Sequence, residues 1–317
     1  MGAVTAMRPQ GSPGQGLGVF GNPGLLAAGA AGFAAAALAL WAMRGLPLGT
    51  GLFWLASFPL FVAGLGFGPA SAVAGALLAT ALVAAFGGGF AAVTFLTLFA
   101  VPAPLLVATA LRGGPGGWRI SLSLPLAVLG LWPLAVLLGA AVFLADEGGI
   151  EAAMRGTMEM SLARLGIPAP EEFVSALVRV KAGAIGFWAG LALLANAVAA
   201  TGVLAKRGLL AAPKPDWTAV RLPGWYPLLP ALALGLFAAA PADGDLVALS
   251  ALLVLLVPLF LQGLAGVHRR LRGRRGRWPM LAAFYLLLVL FLQLIGPGLV
   301  ALGLYDQFQR RAAPRQS

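Results

Sequence analysis

Cysteine is absent from this 317-residue chain, and histidine occurs once, at His268. Without thiols the protein cannot form disulfides, thiolate nucleophiles or cysteine-ligated metal centres. A single imidazole also argues against a zinc or haem site. We therefore expect no cofactor and no bound metal.

Acidic residues are scarce as well, since ten Asp and Glu stand against 21 Lys and Arg, giving a formal net charge of +11. None of the ten lies in the middle of an apolar segment, which argues against a pump or antiporter built on a buried carboxylate. The sequence also lacks a P-loop, GxSxG, HExxH and a dinucleotide-binding fingerprint. We predict that the protein is not an enzyme; an intramembrane enzyme with few polar groups is the enzymatic alternative.

What the chain has in abundance is apolar surface. Hydrophobic residues make up 60% of it and charged residues 10%, and its mean hydropathy is +0.93. Soluble domains carry about 25% charged residues, so the bilayer must solvate most of this surface. The positive charges fall mainly in short loops, which is typical of membrane topology rather than of nucleic-acid binding. We expect no nucleic-acid partner.

Nine apolar segments follow one another along the chain. Each approaches the roughly 20 residues that an α-helix needs to cross about 30 Å of hydrocarbon. They cover 24–43, 46–65, 69–86, 90–111, 121–144, 183–204, 225–240, 246–266 and 280–302. The predicted fold class is all-α, a polytopic transmembrane helix bundle of eight to nine spans within residues 23–304. Tight turns are predicted at 66–68, 87–89 and 241–245.

The most basic stretch, 267–279, lies between the last two segments and fixes the predicted orientation. Its arginines are Arg269, Arg270, Arg272, Arg274, Arg275 and Arg277. Arginines in short loops stay cytoplasmic because moving them across the bilayer is costly, and they attract anionic lipids. Counting backwards, the loops 205–224 and 112–120 and a disordered Gly- and Pro-rich tail, 1–22, are cytoplasmic too. The excess of arginine over lysine is typical of a bacterial genome rich in GC, so we predict a bacterial inner-membrane protein.

Two features oppose this count, because Arg44 and the polar C-terminal tail, 305–317, fall on the outer side. Gly296-Pro297-Gly298 interrupts the last segment. That segment therefore either crosses the membrane, or breaks and returns to the cytoplasm. Both alternatives stay open from the sequence.

The largest outer connection, 145–182, is rich in acidic residues. Its apolar residues at helical spacing are Ile150, Met154, Met158, Leu162 and Leu165. Glu151 and Arg155 lie four residues apart and can support a helix. The pattern predicts one interfacial amphipathic helix, which is either a surface connection or a lid over an outward-facing pocket.

Small residues recur at every fourth position in Ala28-Gly32-Ala36 and in Ala182-Gly186-Gly190. In lipid such rows let two helices approach closely. They serve either packing within the chain or the docking of a partner subunit.

Polar residues in and beside the apolar segments are the candidate binding residues. The candidates for lining a solute pocket are Asn196, Gln293, Gln262, Arg179 and Lys181. For Asn196 and Gln293 the alternative is an interhelical hydrogen bond. For Arg179 and Lys181 it is snorkelling to the lipid headgroups. We predict no catalytic residue.

Two short motifs stand in the C-terminal third: Gln262-Gly263-Leu264 before the basic loop, and Gly303-Leu304-Tyr305-Asp306 before Arg310-Arg311. The arrangement resembles the YybS-like uncharacterised membrane proteins of bacteria. That family is distantly similar to the substrate-binding subunits of energy-coupling-factor transporters, which bind a small molecule from outside and dock to a membrane partner. The resemblance implies a partner docked on the small-residue row of the first helix, with the acidic segment as a gate.

Together these patterns favour a small-solute-binding transport component, with the bilayer, anionic lipids and a membrane subunit as partners. The alternative is a non-enzymatic membrane scaffold or assembly protein, which the scarcity of interior polar groups favours.

Overall fold

Among the described residues, the regular secondary structure is helical apart from one short β-hairpin. The computed structural model describes residues 21–168, 170–241 and 246–309. The predicted tail 1–22 lies outside the described residues up to position 20. Of the predicted tail 305–317, the first five residues continue the last helix, and the remainder lies outside the described residues.

The elements fall into an N-terminal and a C-terminal series. The first series is α1 Pro23–Met43, α2 Gly49–Trp54, α3 Phe58–Phe67, α4 Pro69–Phe95, a π-helical turn Leu96–Ala100, α5 Pro102–Ala110, β1 Leu111–Gly114 and β2 Gly117–Ile120. The second series is α6 Ser123–Phe143, α7 Gly149–Leu165, α8 Glu171–Lys206, α9 Leu228–Ala239, α10 Leu246–Arg270, α11 Arg277–Leu290 and α12 Leu292–Gln309. Short 3-10 turns occur at Ala145–Glu147 and Trp217–Ala219. The protein is thus an all-helical, multi-pass membrane protein.

The prediction of nine spans is wrong. Within the described residues, six helical segments are long and apolar enough to cross a membrane, or seven if α11 and α12 are counted as one bent span. The segment predicted at 225–240 forms only α9, of 12 residues, which is shorter than the roughly 20 residues of a spanning helix. This count takes Pro69–Ala110, which covers the segments predicted at 69–86 and 90–111, as one helical segment.

That stretch reverses direction at Gly88, whose backbone is left-handed with φ 83°. A Cβ atom added to Gly64 of α3 would lie 2.8 Å from Ala72 and 2.9 Å from Val107. A straight helix would separate those two residues by about 50 Å, so the chain folds back between them. The turn predicted at 87–89 is therefore confirmed, and so is the one at 66–68, where Gly68 has φ 102°.

The small-residue row of α1 packs inside the protein. Ala28, Gly32 and Ala36 are buried against α4, and a Cβ atom added to Gly32 would lie 2.8 Å from the carbonyl oxygen of Gly75. The second row packs on α10, where Gly186 faces Val254. Both rows serve packing within the chain, and α1 does not offer its row as a docking face.

Helices α11 and α12 are bent by 118° relative to each other. The break lies at Phe291 and not at the predicted Gly296-Pro297-Gly298, which is inside α12. Helix α12 packs along α10 and brings Asp306 to Arg270, with 2.8 Å between Oδ1 and the guanidinium. The C-terminal helix therefore ends beside the basic loop, as the second alternative for this segment required.

One end of the bundle collects the positive charge, and we call it the basic end. It holds the turn at Gly68, the β-hairpin, residues 207–224, the basic loop and the end of α12. Ala211 donates to the Leu65 carbonyl over 2.9 Å, and Arg272 lies 2.9 Å from Asp216. We call the opposite end, with α7 and the start of α8, the acidic end.

Candidate functional site

A cavity of about 350 Å³ opens at the basic end. Its walls come from α3, α5, α6, α8 and α10 and are almost wholly apolar. The residues that line it include Phe61, Leu106, Val107, Leu129, Leu194 and Ala197. Cavities of about 300–1,000 Å³ are typical of small-molecule sites. This cavity, the basic-end cavity, is thus large enough for a small apolar ligand.

Apart from Thr201, the polar side chains that line this cavity lie at its mouth. His268 and Tyr285 both line it, and their Nε2 and Oη atoms are 2.7 Å apart. Trp217 and Thr218 line the mouth from the connection between α8 and α9. Arg269 donates to the Thr218 carbonyl over 3.1 Å. The mouth is therefore built where α10, α11 and the 207–224 connection meet.

Two carboxylates hold three arginines of the basic loop in place. Asp306 accepts from Arg269 and Arg270, and its side chain is only 9% exposed. Asp216 accepts from Arg272 over 2.9 and 3.1 Å. Hydrogen bonds from Arg272 and then Thr218 hold the pKa of Asp216 well below its usual range. The loop predicted as a topology signal is thus also a fixed structural element.

Gln262 joins three parts of the chain in one buried network. Its Oε1 accepts from the Leu222 amide over 2.7 Å. Its Nε2 donates to the Gly303 carbonyl over 2.7 Å and to Gln307 over 3.1 Å. Every polar atom of its side chain therefore has a protein partner. Gln262 supports the basic end and does not line the basic-end cavity, contrary to the prediction.

A second cavity, of about 140 Å³, lies toward the acidic end between α5, α6, α8 and α10. Leu106 and Leu129 line this acidic-end cavity and also the basic-end cavity. The two cavities are thus adjacent chambers that share these two leucines as a partition. Trp132 of α6 lines the acidic-end cavity and donates to the Thr97 carbonyl in the π-helical turn over 2.8 Å.

Helix α7 covers the acidic-end cavity. Its stripe Ile150, Met154, Met158 and Leu162 packs with Val174 and Val178 of α8, and Ile150 and Met154 line the cavity. The amphipathic helix is confirmed, and its apolar stripe faces protein. Leu165 departs from the stripe and is 71% exposed. For its position over this cavity we call α7 the lid.

Polar contacts hold the lid to α8. Arg155 pairs with Glu171 of α8 and with Glu151, its predicted partner, at 3.4 Å. The two carboxylates raise the pKa of Arg155, with Glu171 the larger cause. Lys181 donates to Thr157 and, over 3.3 Å, to the Met154 carbonyl. Lys181 thus ties α8 to the lid, and it does not line either cavity.

The remaining predicted pocket residues also lie elsewhere. Asn196 is 3% exposed and donates to the Trp54 carbonyl over 2.6 Å and to Ser57 Oγ over 2.9 Å. It satisfies the carbonyl left free where α2 stops before α3, so its hydrogen bond is interhelical. Gln293 is exposed beside the bend at Phe291, and Arg179 is exposed on α8 near the acidic end. Neither lines one of the two cavities.

Asn196→Leu will lower stability without removing the cavities. The change leaves the Trp54 carbonyl and Ser57 without their donor, and we expect a loss of about 1–2 kcal/mol. Thermal unfolding in mild detergent measures it. Thr201→Val is the control on the same helix, because Thr201 bonds only its own helix carbonyl at Ala197. Equal losses of stability in both variants would contradict the stabilising role of the Asn196 hydrogen bonds to Trp54 and Ser57.

His268, Tyr285 and the apolar walls are the site residues that the sequence analysis missed as a pocket. A histidine directly after an apolar run was a usable signal, but nothing in a run of leucines and alanines marks an unfilled space. Within residues 21–168, 170–241 and 246–309 no group of three or more His, Asp or Glu could hold a metal ion. Comparisons with protein-family models, curated proteins and solved structures found no match to this chain.

Proposed function

We propose that this protein is a transport component of the bacterial inner membrane that binds an apolar or amphipathic small molecule in the basic-end cavity. The observation that carries the proposal is the cavity itself, about 350 Å³ of space with apolar walls and a polar mouth. A polar solute would lose its hydration there without gaining hydrogen bonds. An apolar ligand gains about 0.8 kcal/mol for each CH₂ group that it buries.

The second cavity supports movement of the ligand rather than storage. The acidic-end cavity begins where the basic-end cavity stops, with Leu106 and Leu129 between them. The helices around this partition are irregular, with Pro133 inside α6, Pro258 inside α10 and a π-helical turn before α5. Proline and π-helical turns weaken the helical hydrogen bonds, so these walls are suited to rearrangement.

The charges support an orientation with the basic end in the cytoplasm. Apart from Arg44, the described arginines and lysines of the short connections gather at that end, and the acidic end carries six of the ten acidic residues. Arginine-rich short loops are retained on the cytoplasmic side. The ligand would then enter or leave beneath the lid on the outer side and at the arginine-rich mouth on the inner side.

Ala197→Phe will abolish ligand binding. Ala197 lines the basic-end cavity, so a phenyl ring there occupies the space that the ligand needs. We expect at least a tenfold loss of bound apolar molecules, since a filled site forfeits several buried CH₂ groups. The measurement is mass spectrometry of small molecules and lipids retained by protein purified in a mild, uncharged detergent.

The matched control is Ala199→Phe on the same helix, because Ala199 is exposed and lines neither cavity. It should retain what the wild type retains. If wild type, Ala197→Phe and Ala199→Phe carried the same molecules, the cavity would be an unused packing gap. If the purified protein retained no small molecule but co-purified with other membrane proteins, the scaffold alternative would be favoured instead.

A further inference from the structure

We infer that the ligand of the basic-end cavity is a single-chain amphiphile with an anionic headgroup, whose chain fills the cavity and whose headgroup meets Arg277 and His268 at the mouth. This inference rests on the proposed function and names the ligand class of the same site. It follows from three independent features of the mouth and of the cavity.

The first feature is the state of Arg277. Its guanidinium lies 5.6 Å from the ring centre of Trp278, and it interacts electrostatically with His268, which lines the cavity. Its Nε is buried and has no hydrogen-bond partner among the described residues. A buried guanidinium nitrogen without an acceptor is costly. An anionic group at the mouth would supply the missing negative charge.

The second feature is the balance of charge around the mouth. The two carboxylates of the basic end that face the loop are Asp216 and Asp306, and both are already paired with other arginines. Arg277 has no ion pair among the described residues. The positive charge beside His268 is therefore not neutralised by any residue in the described part of the chain. Guanidinium groups suit phosphate and carboxylate because they offer several donors in one plane.

The third feature is the size and polarity of the cavity. Its volume, about 350 Å³, is near the lower limit of ordinary ligand sites, which suits one chain rather than a lipid with two. Its side walls offer Thr201 as a hydroxyl group, and Thr201 already donates to the Ala197 carbonyl. The headgroup can thus be satisfied only at the mouth, and the rest of the ligand must be apolar.

The experiment compares two probes with the same chain, dodecyl phosphate and dodecanol. The wild type and each variant are placed in nanodiscs of phosphatidylcholine, which has no net charge, and bound radiolabelled probe is measured against empty nanodiscs. We expect the wild type to bind dodecyl phosphate more tightly than dodecanol. Arg277→Gln should weaken dodecyl phosphate about tenfold, the usual scale for losing a charged hydrogen bond, and leave dodecanol unchanged.

Arg275→Gln is the control, since Arg275 is exposed on the same loop and both probes should bind as to the wild type. Arg277→Lys, which keeps the charge, should retain most of the preference and guards against misfolding of the glutamine variant. Equal binding of both probes to the wild type would overturn the anionic headgroup while leaving the proposed function intact. Failure of Ala197→Phe to reduce the binding of either probe would overturn the proposed function itself.

Discussion

Arg275→Cys and Gln309→Cys variants will react with a membrane-impermeant maleimide from the same side of the membrane, and Glu159→Cys only from the opposite side. All three positions are exposed, and the natural chain has no cysteine, so each variant carries a single reactive thiol. Gln309 ends α12, which returns along α10 after the bend at Phe291. Each thiol should be labelled from one side of the membrane and not from the other, because a charged reagent does not cross the bilayer.

The pairing of Asp306 with Arg269 and Arg270 is the physical reason for this result. A crossing of α11 and α12 as one straight span would place Asp306 about 30 Å or more from those arginines. If Gln309→Cys were labelled from the same side of the membrane as Glu159→Cys, the return of α12 to the basic end would therefore be contradicted. Labelling after solubilisation in detergent, where all three thiols should react, is the control for accessibility.

Hydropathy predicted where helices lie better than it predicted how many cross. The segment 121–144 was predicted closely and forms α6, because a run of apolar residues between polar loops has one plausible arrangement in lipid. Hydropathy does not, however, indicate whether an apolar run crosses the membrane or turns back. The bend at Phe291 occurs inside an apolar run with no proline or glycine at the break, and beyond it α12 packs on α10.

The candidate site was harder to predict for a related reason. Polar residues in apolar segments are the binding residues that the sequence predicts, yet Asn196 and Gln262 are fully engaged by the protein. A buried polar side chain costs least when it is satisfied internally, so isolated polar residues in a span more often support the fold. The cavities are instead spaces between leucines and alanines, and their existence depends on helix geometry that no single segment encodes.

The two motifs of the C-terminal third do meet in the structure. Gln262 donates to the Gly303 carbonyl, and a few residues further along Asp306 pairs with the arginines that follow Gln262. The sequence showed these motifs only as separate stretches on either side of the basic loop. Their contact gives each a structural role in joining α10 to α12.

Gly263→Ala and Gly303→Ala will each destabilise the protein by about 3 kcal/mol, at the upper end of what overpacking costs in a core. A Cβ atom added to Gly263 would lie far inside van der Waals contact with the Leu299 carbonyl oxygen. One added to Gly303 would do the same with the Leu259 carbonyl oxygen. Both obstacles are backbone atoms, which cannot change rotamer, so α10 and α12 would have to separate.

The control is Gly298→Ala, also on α12, where an added Cβ atom meets nothing within 4 Å. It should leave stability unchanged or raise it slightly, since alanine has the higher helix propensity. Thermal unfolding in one detergent compares the three variants, and dodecyl phosphate binding follows them. Separation of the helices would break the Gln262 network and disturb the mouth formed by α10 and α11, so the two interface variants should lose ligand as well as stability. Unchanged stability in both would mean that α12 is not held against α10, and that the C-terminal return has another cause.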